Sequence, residues 1–144
     1  MIEFRAATFN DHDFLYNLKK AALKDSIEKV WGPWNEQFQR EYFEDHFSLE
    51  GIQIILYNGE DAGAIKISTK EDEIDIDIIE ILPRYQNRGI GSFVLEREKR
   101  RAINENKNLY LQVLKVNLDA KRLYERLGFQ VTGKTEMHYQ MMMR

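Results

Sequence analysis

Glu73-Ile74-Asp75-Ile76-Asp77-Ile78-Ile79-Glu80-Ile81-Leu82-Pro83-Arg84-Tyr85-Gln86-Asn87-Arg88-Gly89-Ile90-Gly91 is the stretch whose reading decides the fold. Its apolar residues first fall on even positions, Ile74, Ile76 and Ile78, with Asp75 and Asp77 between them. The phase then flips to Ile79 and Ile81. Alternation with period two marks a strand, and a slip by one residue is what a β-bulge produces, because two residues then oppose a single partner. A strand end buried on both faces gives the same pattern. The residues after it form a strand-to-helix turn, where glycines let backbone N–H groups approach an anion without interference from a Cβ. The helix start behind them adds unpaired donors and a partial positive charge. Arg84 and Arg88 offer charge-assisted hydrogen bonds to the same anion. Taken alone, the two glycines are explained more simply by a turn followed by a helix cap.

Working outward, Ile2 to Ala7 reads as an opening strand. Thr8 or Asn10 then caps a helix with Phe14, Leu18 and Ala21/Ala22 on one face. Gly32-Pro33 separates two tryptophans, and a second helix from Asn35 to Phe47 carries Phe38, Tyr42, Phe43 and Phe47 on a broad aromatic side. Ile52, Ile54 and Leu56 alternate up to Asn58-Gly59, a tight-turn dipeptide, and Ala64 to Ile67 continues as the partner strand. A polar turn at Lys70–Asp72 leads into the decisive stretch. Beyond it the spacing predicts a helix from Gly89 to Asn106, a strand from Leu109 to Val113, and a helix capped by Asn117. Ala120, Leu123, Tyr124 and Leu127 share one face of that helix, and Gly128 is placed to end it in the left-handed conformation. Phe129–Thr132 and Met137–Met142 close the chain as strands. The order predicts one α+β domain over residues 1–144, a mixed, largely antiparallel twisted sheet of about seven strands flanked by helices.

Composition narrows the function. With 144 residues, 43% hydrophobic and 31% charged, the chain suits a single globular domain. A net charge of −3 gives no support for nucleic-acid binding. No signal peptide or membrane span is visible, so a cytoplasmic location without membrane partners is expected. The absence of cysteine excludes disulfides, thiolate metal sites and a cysteine nucleophile. His12, His46 and His138 are dispersed without metal-ligand spacing, so no metal is expected. The loop lacks the Gly-x-x-x-x-Gly-Lys-Ser/Thr of nucleotidases, and Ser92-Phe93-Val94 follow Gly91 where a dinucleotide fingerprint needs a third glycine or alanine.

Ile81 to Gly91 resembles the coenzyme A signature of the GNAT superfamily of N-acetyltransferases, Gln/Arg-x-x-Gly-x-Gly/Ala. Asn117-Leu118-Asp119-Ala120-Lys121-Arg122-Leu123-Tyr124-Glu125-Arg126-Leu127-Gly128-Phe129 resembles that family's second motif, in the same order and spacing. The resemblance implies acetyl-CoA as cosubstrate and direct transfer of the acetyl group to a primary amine of a small molecule or peptide. It places the pyrophosphate on the loop led by Gln86, against the backbone amides of Asn87, Arg88, Gly89, Ile90, Gly91 and Ser92. The pantetheine arm is expected along Ile79, Glu80 and Ile81, with Asn117 and Tyr124 across from it. The alternative is an acyl-CoA-binding or sensing domain without catalysis, which would need no acid.

Within that picture the resemblance points to Tyr124 as the acid that protonates the leaving thiolate; by periodicity alone it is a core tyrosine. Some relatives carry a glutamate base on the strand before the second motif, but Gln112 stands there and cannot take a proton. Glu80 is the substitute candidate, its competing reading a solvated strand residue. Trp31 and Trp34 either wall the acceptor cleft or cover the core. Asp75, Asp77, Glu41 and Glu44 either favour a cationic substrate or form solvated faces. The apolar Met141-Met142-Met143 strand would suit a homodimer.

Overall fold

The computed structural model describes residues 1–143. Its strands are β1 (Ile2–Ala6), β2 (Ile52–Tyr57), β3 (Glu60–Thr69), β4 (Glu73–Ile81), β5 (Asn108–Leu114), β6 (Gln130–Lys134) and β7 (His138–Met143). The helices are α1 (His12–Trp31), α2 (Glu36–His46), α3 (Ile90–Glu105) and α4 (Leu118–Arg126). The strands form one sheet in the order β1-β2-β3-β4-β5-β7-β6. Every neighbouring pair is antiparallel except β4 with β5. This is the expected α+β architecture.

Helices cover both faces. Leu15 and Leu18 of α1, with Phe43 of α2, pack on Ile54 and Ala64. On the other face Ile90, Val94, Leu95 and Ala102 of α3 and Tyr124 of α4 join Ile65, Ile74, Ile76, Leu109, Leu111 and Val113. The aromatic side expected of α2 is divided, because only Phe43 and Phe47 reach this packing. Phe38 and Tyr42 stay exposed.

Local chemistry sets the element ends. Asn58 (φ 51°) and Gly59 (φ 84°) turn β2 into β3 in the left-handed region, as their sequence predicts. Asn35 accepts from Phe38 N–H at 2.9 Å and Asn117 from Ala120 N–H at 3.3 Å, each satisfying a donor of its helix start. Gly128 (φ 104°) follows α4 as expected. At α1 neither Thr8 nor Asn10 is the cap. A single 3₁₀ turn, Phe9–Asp11, intervenes, with Asp11 accepting from Thr8 N–H at 2.8 Å while Arg5 holds the same carboxylate.

The bulge exists, slightly earlier than the phase of the isoleucines suggests. Lys66 pairs with Ile78 and Ile67 with Ile76, so Asp77 is the extra residue. Ile74 and Ile76, then Ile79 and Ile81, pack toward α3. Ile78 turns the other way and is 37% exposed. Counting it as a core residue places the slip too late.

The C-terminal strand is not a free apolar surface. β7 lies inside the sheet between β5 and β6, and Met141 and Met143 are buried in the core. The residues that suggested a homodimer through this strand are used within the chain.

Candidate active site

The parallel pairing of β4 with β5 runs only from Glu73–Asn108 to Ile76–Leu111. Past the bulge β4 continues to Ile81 and β5 to Leu114 without pairing each other, so the sheet splays open. Added twist at a bulge is the physical cause, since the extra residue bends its strand away from the neighbour. The result is a cleft of about 790 Å³ with Asp75, Ile79, Glu80, Gln112, Asn117 and Tyr124 among its walls.

The open edge of β4 offers backbone groups. Leu82 N–H donates to Ala62 C=O at 2.8 Å, which fixes the alternation of the β3–β4 ladder. Residues one and three positions back therefore turn their N–H and C=O groups away from β3. Ile79 N–H and C=O and Ile81 N–H thus face the cleft without a ladder partner, while Ile81 C=O accepts from the Gln86 side chain. Gly63 permits the tight β3–β4 contact here, for a Cβ on it would lie 2.4 Å from Glu80 C=O.

The loop after β4 is held at its base and bare at its tip. Tyr85 donates to Glu60 at 2.6 Å, and Gln86 Nε2 donates to Ile81 C=O at 3.1 Å. Asn87 (φ 62°) and Gly89 (φ 79°) both take left-handed backbone, and Gly89 caps α3 without a side chain. Among the described residues none accepts from the amides of Asn87 to Ser92, and the first bond of the helix is Phe93 N–H to Gly89 C=O. The guanidinium groups of Arg84 and Arg88 lie over Tyr85 and Tyr57, near this run of donors. Gly91 allows α3 to meet α4, since a Cβ there would touch Leu123 at 3.4 Å. A run of free N–H groups at a helix start beside two cations fits a phosphate or pyrophosphate.

Two of the titratable side chains that border the cleft, Glu80 and Tyr124, are strongly perturbed by burial. Glu80 lies on the α1 face of β4, and burial pushes its carboxyl up to about 7 while the Lys19 ammonium pulls it partly back. Lys19 itself rests over the Tyr42 ring at 5.0 Å. Tyr124 is 7% exposed and burial pushes its hydroxyl up to about 12. Its ring packs edge-on to Phe129, with centroids 6.0 Å apart. The hydroxyl has no hydrogen-bond partner among the described residues, yet it is not sealed in the core and opens on the cleft. The helical spacing marked Tyr124 as inward-facing; that its inward face is a cleft wall depends on the splay.

The tryptophans do not line this cleft. Trp31 is 59% exposed at the end of α1, and Trp34 donates from its ring to Glu36 at 3.3 Å and from its backbone to Glu28. The residue of α1 at the cleft is Leu23, an ordinary helix residue without any sequence signal. Glu41 and Glu44 belong to α2, and neither is among the cleft's lining residues. Asp75 and Asp77 do line it.

Comparison with known proteins agrees with this geometry. The family model described as Acetyltransferase (GNAT) family matches residues 14–129. This chain belongs to that family. A spermine/spermidine N(1)-acetyltransferase of Bacillus subtilis (strain 168) is 31% identical over 71 residues, covering 48% of this chain and 47% of that protein. The matched part thus spans about half of that relative's length. The PaiA N-acetyltransferase of Thermoplasma acidophilum, solved with coenzyme A, superposes over 100% of this chain and 99% of its own, with TM-score 0.80 and 17% identity. A GNAT family acetyltransferase from Elizabethkingia anophelis with acetyl-CoA bound superposes over 99% and 97%, with TM-score 0.67 and 18% identity. For the GNAT domain described here, these structural likenesses establish the fold. No group of His, Asp or Glu side chains able to hold a metal occurs among the described residues, and none of their helices is long and apolar enough to cross a membrane.

Proposed function

We propose that this GNAT domain moves the acetyl group of acetyl-CoA directly onto a primary amine of a small molecule or peptide, with both substrates bound together. The observation that carries the reading is the open edge at Ile79 and Ile81, with bare loop amides at one end and Glu80 and Tyr124 beside it. Acetyl-CoA would supply an acetyl group already activated as a thioester. Amides of Asn87 to Ser92, assisted by Arg84 and Arg88, would hold its diphosphate. The N–H and C=O of Ile79 and the N–H of Ile81 match the amide groups of a pantetheine arm, in the manner of an added strand. Asn117 fixes the start of α4 and so the position of Tyr124.

The chain's own groups then handle the protons. A free alkylamine is an ammonium below a pKa of about 10 and must lose a proton to act as a nucleophile. Glu80, with its carboxyl near neutrality, is suited to take it. Tyr124 stays protonated at any ordinary pH and can give its proton to the departing sulfur. Gln112 can do neither, and a chain without cysteine has no thiol to carry the acetyl group. Trp31, exposed on the helix that bears Leu23, is available to the outer end of a long acceptor, whereas Trp34 is tied to Glu28 and Glu36. The name of the Bacillus relative makes spermine and spermidine the first amines to try. Incubation with acetyl-CoA and an amine panel should release coenzyme A and N-acetylated amine in equal amounts. Binding of acetyl-CoA without release for any amine would favour a sensing domain and refute the reading.

A further inference from the structure

Glu80 faces a single cation that the transfer step leaves without a task. Its partner across the β3–β4 ladder is Ala64, on which Leu15 and Leu18 of α1 rest, so the Glu80 side chain points to the α1 face. Lys19 lies one helical turn after Leu15 and one before Leu23. Leu15 is a core contact and Leu23 a wall of the cleft, which puts Lys19 on the edge of α1 between them. The Lys19 ammonium lies 5.0 Å over the Tyr42 ring of α2, and Tyr42 stacks in turn on His46 at 4.1 Å.

Neither Lys19 nor Glu80 belongs to an ion pair among the described residues. Each still feels the other's charge. Burial lowers the Lys19 pKa and raises that of Glu80, and in both groups the partner's charge pulls the other way. The neighbouring elements bring other titratable groups: Lys66 of β3, Asp75 and Asp77 of β4, and Tyr110 of β5. Lys20 of α1 is taken by Glu36 at 3.0 Å, and Gln112 across the splay is neutral. The charge that acts on the Glu80 carboxyl is that of Lys19.

We propose that Lys19 is the positioning residue of Glu80: its ammonium, seated on Tyr42, is the resident counter-ion that readies the carboxylate to take the acceptor's proton. The inference rests on Glu80 as the base in the reading above. Without a cation beside it, a buried carboxyl holds its own proton to higher pH and cannot accept one from an amine. Because the two groups stop short of a contact ion pair, the carboxylate oxygens stay open to the acceptor.

The test compares wild type, Lys19→Met, Lys19→Arg and Lys66→Met, with spermidine as acceptor and coenzyme A release as the signal. In Lys19→Met the acidic limb of kcat/KM should move up by about half to one pH unit, as for loss of an opposite charge beyond contact distance. Its kcat/KM should therefore fall about three- to tenfold at pH 6 and agree with the wild type within about twofold at pH 9. Lys19→Arg keeps the charge and Lys66→Met removes the other cation of this face; both should leave the limb in place. A Lys19→Met loss that is equal at every pH, or an equal limb shift in Lys66→Met, would overturn the proposal. A carbon-13 NMR titration of the Glu80 carboxyl in glutamate-labelled protein, its signal assigned by its absence from Glu80→Gln, reads the same pairing without turnover. The midpoint should rise in Lys19→Met, and an unmoved midpoint would refute the pairing. A midpoint that rises with no matching shift in rate would support the pairing and refute Glu80 as the base.

Discussion

Replacing Glu80 with glutamine should make the protein more stable and nearly inactive, and both effects follow from one environment. The carboxyl rises from 4.5 to about 7 in the folded chain because burial disfavours its charged form. A group whose folded pKa is raised contributes stability fully below its unfolded value and loses it as pH climbs through the folded one. For Glu80 the window is therefore about pH 4.5 to 7. At 1.36 kcal/mol per pKa unit, the cost of carrying the ionised group above that window is up to about 3 kcal/mol. Glu80→Gln keeps the shape without the charge, so it should match the wild type at pH 4 and exceed it in Tm by about 10 °C at pH 8 for a domain of this size. In the same variant kcat should fall about 10²- to 10⁴-fold, the usual contribution of a positioned base, and the acidic limb of the pH–rate profile should vanish. Thermal melts at both pH values beside initial rates of coenzyme A release measure the two effects. A variant with unchanged Tm at pH 8 and an unchanged profile would refute both the burial and the role.

Tyr124→Phe removes a hydroxyl that no described residue bonds; it should melt within about 0.5 kcal/mol of the wild type and lose about a hundredfold in kcat with little change in KM. Gly63→Ala puts a methyl 2.4 Å from the Glu80 carbonyl and should destabilise by about 1–3 kcal/mol in chemical denaturation, as overpacking does, with an equal rise in KM for both substrates. Gly89→Ala meets nothing within 4 Å but keeps a φ of 79°; strain of about 1 kcal/mol should appear in melts, and KM for acetyl-CoA should rise several-fold more than KM for the amine.

Much of the fold was legible because its signals are local. Period-two isoleucines gave β4, Asn58-Gly59 gave the hairpin, and Asn117 and Gly128 bounded α4 by cap chemistry that needs no tertiary partner. The bulge was legible as a fact but not at its residue, since the alternation counts Ile78 as inward while its partner Lys66 sets it outward. What residue pattern alone could not show, apart from the family resemblance, is distance between strands. The splay that turns Tyr124 from a core residue into a cleft wall depends on where β4–β5 pairing stops, which is tertiary. For the same reason Leu23 carries no sequence signal, Trp31 and Trp34 are placed at the acceptor site on aromatic character alone, and only the position of the cleft separates Asp75 and Asp77 from Glu41 and Glu44.

The central claim is that the cosubstrate lies along the open edge of β4 and on the bare amides of the loop. Amide chemical shifts and hydrogen exchange, followed by NMR during titration with coenzyme A, test it directly. Protection of Ile79, Ile81 and the amides of residues 87–92, with the β1–β2 amides unmoved, is the predicted result. Saturable binding that leaves Ile79, Ile81 and residues 87–92 unchanged would contradict the account.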